Sequence, residues 1–471
     1  MKRSQWRLQA LITGQFATQR KINSLKAILS PIKMVPREAM SIIFECCLFP
    51  FAPETFRDEL RLRLGYRNPI APPLVLSRVC RSWRDLALSL PKLWSNIEVY
   101  ITQGPYMGIS AFACSAKKQT DMVTHWVKHS KSHQLDCKVK IEASQNALLA
   151  CQNTIRRLLD LLAAQSNRWR SMTLRFPSYN IPISTILESI RGDLTYVRFL
   201  KIDREMESLP MLLVDNSPML AGLHLHHIRL SESVVPWTQL TDLSMDQPID
   251  YTIGVISNCK NLEKLSLTVS FSGQLIDNAL ITLSKLQILS VRGNLTALNS
   301  LLASFTVPQL HMFSASAPGY ASEIAQLAPF LQRLSYPLDA LEIDISNVDL
   351  VILVGWLQLV PSLRALSFGT RCVLTHEICH SLAPNEDKEF ICPSLTHLRA
   401  RFRCSLSSLA DMMEKRWFLR PSPKTLVIDI MSRFNGEDGE RFVSRDAIIS
   451  RFKLLRNKGL ELRGRVSGVA L

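Results

Sequence analysis

A short apolar pattern, L-x-x-L-x-L, returns along most of this chain and limits what it can fold into. It reads "NLEKLSL" at Leu262, "KLQILSV" at Leu286, "QLHMFSA" at Leu310 and "FLQRLSY" at Leu331. Further copies are "TQLTDLSM" at Leu240, "SLRALSF" at Leu363 and "SLTHLRA" at Leu395, with looser ones at Leu220, Leu194 and in "RWRSMTL". From Leu220 the first positions follow at 20, 22, 24, 24, 21, 32 and 32 residues. A recurrence at that period marks a repeat architecture. The alternating apolar positions suit a short strand, which cannot bury its face alone and gains a core only by stacking on its neighbours.

The same register says what must point outward. One row reads Ser244, Ser266, Ser290, Ser314, Ser335 and Ser367, a small polar floor on the concave strand surface. Flanking positions hold Asp242 and Asp246, then Lys264, Arg292 and Arg333, and later His397, Arg399 and Arg401. These are the candidate substrate-binding residues, and their order predicts a face that passes from acidic to basic. His224 and His226 of "HLHH" fall on it too.

Upstream of the repeats the pattern is helical. In "KMVPREAMSIIFECCL", Pro36 suits a first helical turn and Glu38 the positive end of the helix dipole. Ala39, Ile42, Ile43, Cys46 and Cys47 then recur on one apolar face. Residues 49–73, with prolines at both ends and alternating charges, read as a solvated insertion. Next comes "PLVLSRVCRSWRDLALSLPKLWSNIEVY", where Leu76, Val79, Cys80, Trp83, Leu86 and Ala87 form one helical stripe. A core this small gains stability from a partner.

"MVPREAMSIIFECCL" followed by "LSRVCRSWRDLALSLPKLWSNI" resembles the F-box, in the F-box-like form abundant in mushroom-forming fungi. Pro36, Glu38, Ile43, Phe44, Val79, Cys80, Trp83, Leu93 and Trp94 carry the match, while Val35 replaces the usual leucine. The resemblance implies an α/β fold: a small all-helical F-box, then a curved leucine-rich-repeat solenoid of short parallel strands with helical or irregular returns. It divides the chain into a basic helix (1–33), the F-box-like domain (34–100), a connecting segment (101–165) and the repeats (166–471). It further implies a substrate-recognition subunit of an SCF-type cullin–RING ubiquitin ligase, not an enzyme. A Skp-type adaptor would meet Val35, Pro36, Ala39, Ile43, Leu76, Val79 and Trp83, and an unidentified protein substrate the repeats. Trp94 is expected in the core.

Charge and cysteine usage narrow the alternatives. Of the formal +16, residues 1–33 hold +7 and residues 440–471 hold +5, so the basic excess sits at the ends and argues against a dedicated nucleic-acid surface. The acid-free start has the composition of a transit peptide, but its apolar spacing favours a structural helix. Eleven cysteines without a C-x-x-C pair indicate a reduced, intracellular protein, cytoplasmic or nuclear. The longest apolar run, Leu350 to Val360, is too short to cross a bilayer, so no membrane partner is expected. "HEICH" spells H-E-x-x-H, with His376 and His380 as zinc ligands and Glu377 as general base of a hydrolase. Against that reading, Ala383 and Glu386 stand where an extended motif needs glycine and histidine, and Cys372, Cys379 and Cys392 fit no zinc spacing. No metal or cofactor is expected.

Overall fold

The computed structural model describes residues 13–22, 31–48, 72–176, 194–206, 217–228, 235–270, 280–346, 348–369, 371–383, 391–403, 406–418, 427–430, 445–457, 461–466 and 469–470. Most of the expected insertion, 49–71, and Glu386 lie outside them, as does much of the basic segment, of which 13–22 are helical and exposed. The chain forms two compact units. The first comprises Met1–Val139 with Ala150–Leu161, and the second Lys140–Leu149 with Leu162–Leu471.

The first unit begins with short helices. Arg37–Cys46 buries Met40 and Phe44, Pro72–Val79 buries Pro73 and Leu76, and Arg81–Ser89 buries Leu86 and Ala87. The single helix expected from Leu76 to Ala87 is therefore two. Cys80 is extended (φ −157°, ψ 173°) and interrupts it, leaving Val79 and Cys80 exposed. The interruption frees the Ser77 carbonyl, which accepts a 2.9 Å hydrogen bond from Arg84 Nε across the break. A 3-10 turn, Pro91–Trp94, then buries Leu93 and Trp94. The Trp94 indole N–H donates to the Ala87 carbonyl at 2.8 Å, and its ring meets Trp126 edge-on at 4.9 Å. Trp126 belongs to the long helix Ile109–Ser130, which follows strand β1 (Asn96–Thr102) and precedes β2 (Leu135–Glu142). The small helical core thus gains its support from the next elements of its own chain.

The second unit is a solenoid of leucine-rich-repeat type. Its strands begin β3 (Trp169–Arg175), β4 (Phe199–Met206), β5 (Gly222–Ile228), β6 (Asp242–Pro248) and β7 (Lys264–Ser270). There follow β8 (Ile281–Thr282), β9 (Ile288–Gly293), β10 (Phe305–Thr306), β11 (Met312–Tyr320) and β12 (Ala340–Ser346). Last come β13 (Ala365–Phe368), β14 (Val373–Thr375), β15 (His397–Arg403), β16 (Val427–Ile430), β17 (Glu461–Val466) and β18 (Val469–Ala470). The main sheet takes its strands in chain order from β3 to β17, every described pairing parallel, and β18 closes it antiparallel. The little strands stay off that path: β8 pairs β10, and β14 pairs β15.

The leucines point where the repeat requires. Leu243, Leu265, Leu289, Phe313, Leu341 and Leu366 lie side by side in register, all buried. Helices such as Ile249–Ile256 and Leu295–Ser304 pack on that side. One strand-start detail recurs. The carbonyls of Thr241, Glu263, Gln287, His311 and Asp339 each accept two consecutive N–H groups from the following strand. That sharing satisfies the backbone where each strand enters the sheet.

One repeat departs from the expected register. "FLQRLSY" is not a strand: Leu327–Gln332 is helical and Ser335 lies in a bend. The strand of this repeat is "ALEIDIS", preceded by a buried Leu338. The row therefore passes from Ser314 to Glu342 to Ser367, with Glu342 where Ser335 was expected.

Candidate interaction surfaces

The helical unit is apolar on two sides. Met40 and Phe44 fill its interior, yet Ile42 is 64% exposed, Ile43 48% and Val79 56%. The apolar face read through Ile42, Ile43, Cys46 and Cys47 is turned outward. Pro36 is exposed, and Val35 and Ala39 are half-buried. Leu76 differs from the expectation: it is buried among the helices and cannot lead a contact. Trp83 divides its surface. Its ring stands edge-on to Phe44 at 5.0 Å, so one edge is core while the residue stays half-exposed. Val75, four residues before Val79 on the same helix and itself exposed, is the apolar residue that the motif did not single out.

On the solenoid, the outward strand face carries the polar residues. Lys201, His224, Ser244, Ser266, Ser290, Ser314, Glu342, Ser367 and Arg399 form one continuous row across nine strands. At its start, His224 Nε2 meets Asp242 Oδ1 at 2.8 Å, and the Phe199 ring packs edge-on against the same imidazole. The Ser244 hydroxyl lies 3.3 Å from His226 Nε2. Burial holds the His226 imidazole below its ordinary pKa. Lys201 and His224 push the same way, while Asp203 and Asp246 oppose them.

The side chains of Lys264 and Arg292 project from β7 and β9 and make no ion pair or hydrogen bond among the described residues. Beyond them, Ser314 donates to Glu342 at 3.2 Å, and Ser316 to Asp344 at 3.2 Å. The Arg371 backbone N–H donates to Asp344 Oδ1 at 2.9 Å, and its guanidinium lies 3.8 Å from Oδ2. His397 and Arg399 are exposed on β15, and the Arg401 side chain lies outside the described set.

Arg333 is a correction. It follows the helix Leu327–Gln332 and donates to the Leu302 carbonyl, away from the strand face. Its place there passes to Glu342 and Asp344, which the misread repeat concealed. The face therefore does not run from acidic to basic; it alternates.

"HEICH" does form a helix, His376–Leu382, with His376, Glu377 and His380 exposed on it. The Ser408 hydroxyl lies 2.8 Å from His376 Nδ1. Cys372, Cys379 and Cys392 are buried, and burial pushes the Cys372 thiol up to about 12 and Cys392 to about 11. Among the described residues no group of three or more His, Cys, Asp or Glu side chains gathers for a metal. Nor is any described helix long and apolar enough to cross a membrane.

No family model matches the chain, and no curated protein matches it. Among solved structures it is similar to a chain in the crystal structure of the TLR13–ssRNA13 complex. That match is 16% identical at a TM-score of 0.37, covering 66% of this chain and 47% of the other. The chain thus spans less than half the length of that neighbour. It is also similar to a chain in the crystal structure of the Rad7 and Elc1 complex in yeast, at 13% identity and a TM-score of 0.36. That match covers 95% of this chain and 98% of the other.

Proposed function

We propose that the chain is the substrate-recognition subunit of an SCF-type cullin–RING ubiquitin ligase. The helical unit docks a Skp-type adaptor, and the strand face of the solenoid holds a protein client. One observation carries the reading. In the segment that resembles an F-box, the helices fill their own core and still expose Ile42, Ile43 and Val79. A small unit that fills its own core and still exposes large apolar side chains leaves apolar surface available to a protein partner. The subunit acts by binding inside the cell and has no chemical step of its own.

Co-purification with the adaptor tests this reading. Ile43→Asp combined with Val79→Asp places two charges in the interface and lowers adaptor affinity by about a hundredfold. Because both side chains are exposed, thermal unfolding of the variant stays near that of the parent. A folded parent that captures no adaptor removes the chain from the ligase and leaves an interaction scaffold.

A further inference from the structure

The strand face points to a specific kind of client: an extended polypeptide segment, laid across the strands, whose charges alternate in sign. This rests on the proposed reading of that face as the client surface. From β6 to β15, every strand that brings charge to the face brings one sign only. β6 carries Asp242 and Asp246; β7 and β9 carry Lys264 and Arg292; β12 carries Glu342 and Asp344; β15 carries His397 and Arg399. Over that stretch the sign changes between strands and never within one. A ligand running along a strand would meet one sign, whereas a ligand crossing the strands reads all four blocks.

The central row of the face is shallow. Ser266, Ser290, Ser314 and Ser367 sit in the central row, so a backbone can approach without meeting large side chains. Arg371 covers Asp344 from the edge, leaving Glu342, steadied by Ser314, as the acidic contact of its block. A uniform polyanion such as RNA does not suit this face, because Asp242, Asp246 and Glu342 repel it.

Strand spacing sets the pattern. Neighbouring strands lie about 4.8 Å apart, and an extended peptide advances about 3.3 Å per residue. The centre of the basic block lies about 7 Å from β6, the second acidic block about 19 Å and the second basic block about 29 Å. The matching segment carries a cation, then an anion about two residues on, a cation about six residues on and an anion about nine on.

Fluorescence anisotropy of the full chain with labelled ten-residue peptides tests this. One peptide has lysine at its first and seventh positions and glutamate at its third and tenth, with alanine and serine elsewhere. A second is its reverse, since either chain direction fits the face, and a third groups both lysines before both glutamates. One of the first two should bind about tenfold more tightly than the third, with affinity falling as salt rises. Lys264→Glu with Arg292→Glu should abolish that preference. Changing the inner glutamate of the preferred peptide to lysine should restore it on the variant.

A preference below about fivefold overturns the proposal. So does a reversed variant that ranks the peptides as the parent does, or a single-stranded oligonucleotide that displaces the peptide. Circular dichroism confirms that the variant is folded. The assay contains no adaptor, so its failure leaves ligase docking standing, and a failure of docking leaves this result standing.

Discussion

His226 shows how one side chain on the strand face ties stability to pH. Its pKa is lowered chiefly by burial, with Lys201 and His224 adding to the effect and Asp203 and Asp246 opposing it. A lowered folded-state pKa means that the unfolded chain binds the proton more readily. The neutral side chain's contribution is therefore complete above the ordinary value of 6.5, and it is lost as pH falls through the folded value. Between about pH 7.5 and about pH 5.5 the parent should lose urea resistance, and His226→Gln should lose less. His129 titrates in the same direction, so the readout is the difference between parent and variant. Equal losses in the two proteins would remove His226 from the account. Asp246→Asn takes away one of the opposing charges and should steepen the loss.

At the scale of one element, the helix Pro72–Val79 presents Leu76 inward and Val79 outward. Leu76→Ala should cost about 2–5 kcal/mol in chemical unfolding, because it opens a cavity in a very small core. Val79→Ala should stay within about 0.5 kcal/mol while weakening any partner bound there. Equal costs would mean that both faces are buried. The sequence alone could not separate the two residues. An apolar stripe reports that something covers it, not whether the cover is the chain itself or a partner. "REAMSIIFEC" shows the same ambiguity, since Met40 and Phe44 form one apolar pair and Ile42, Ile43 and Cys46 a second apolar group. The repeats were legible because their leucines combine a strand's alternation with a regular period. The failure at Leu331 has a physical cause: apolar residues three and four apart also satisfy a helix, and Leu331 joined Leu327 and Phe330 in one. The signal that identifies the true strand is "LDALEI", where Leu338, Leu341 and Ile343 repeat the full motif. With Leu338 as first position, the intervals become 28 from Leu310 and 25 to Leu363, replacing 21 and 32. Both fall within the usual repeat length. That shift also brings Glu342 and Asp344 onto the face.

Across the solenoid as a whole, each described strand of the main path pairs with the strands on either side of it in that path, so damage should spread over a limited distance. Leu289 is fully buried in β9, in register with Leu265 of β7 and Phe313 of β11. Leu289→Ala should cost about 2–5 kcal/mol by removing packing on both sides at once. In a quasi-one-dimensional stack, that loss is felt mainly by the repeats that share the missing contact. Hydrogen exchange followed by mass spectrometry should show faster exchange in β7, β9 and β11, with β4 and β15 close to the parent. A uniform rise across all five strands would mean that the unit opens as one cooperative core. In that case the strand face would be a single rigid plate, and its charge blocks could not adjust separately to a client. A local rise supports blocks carried on semi-independent repeats, each able to settle against its own part of an extended chain.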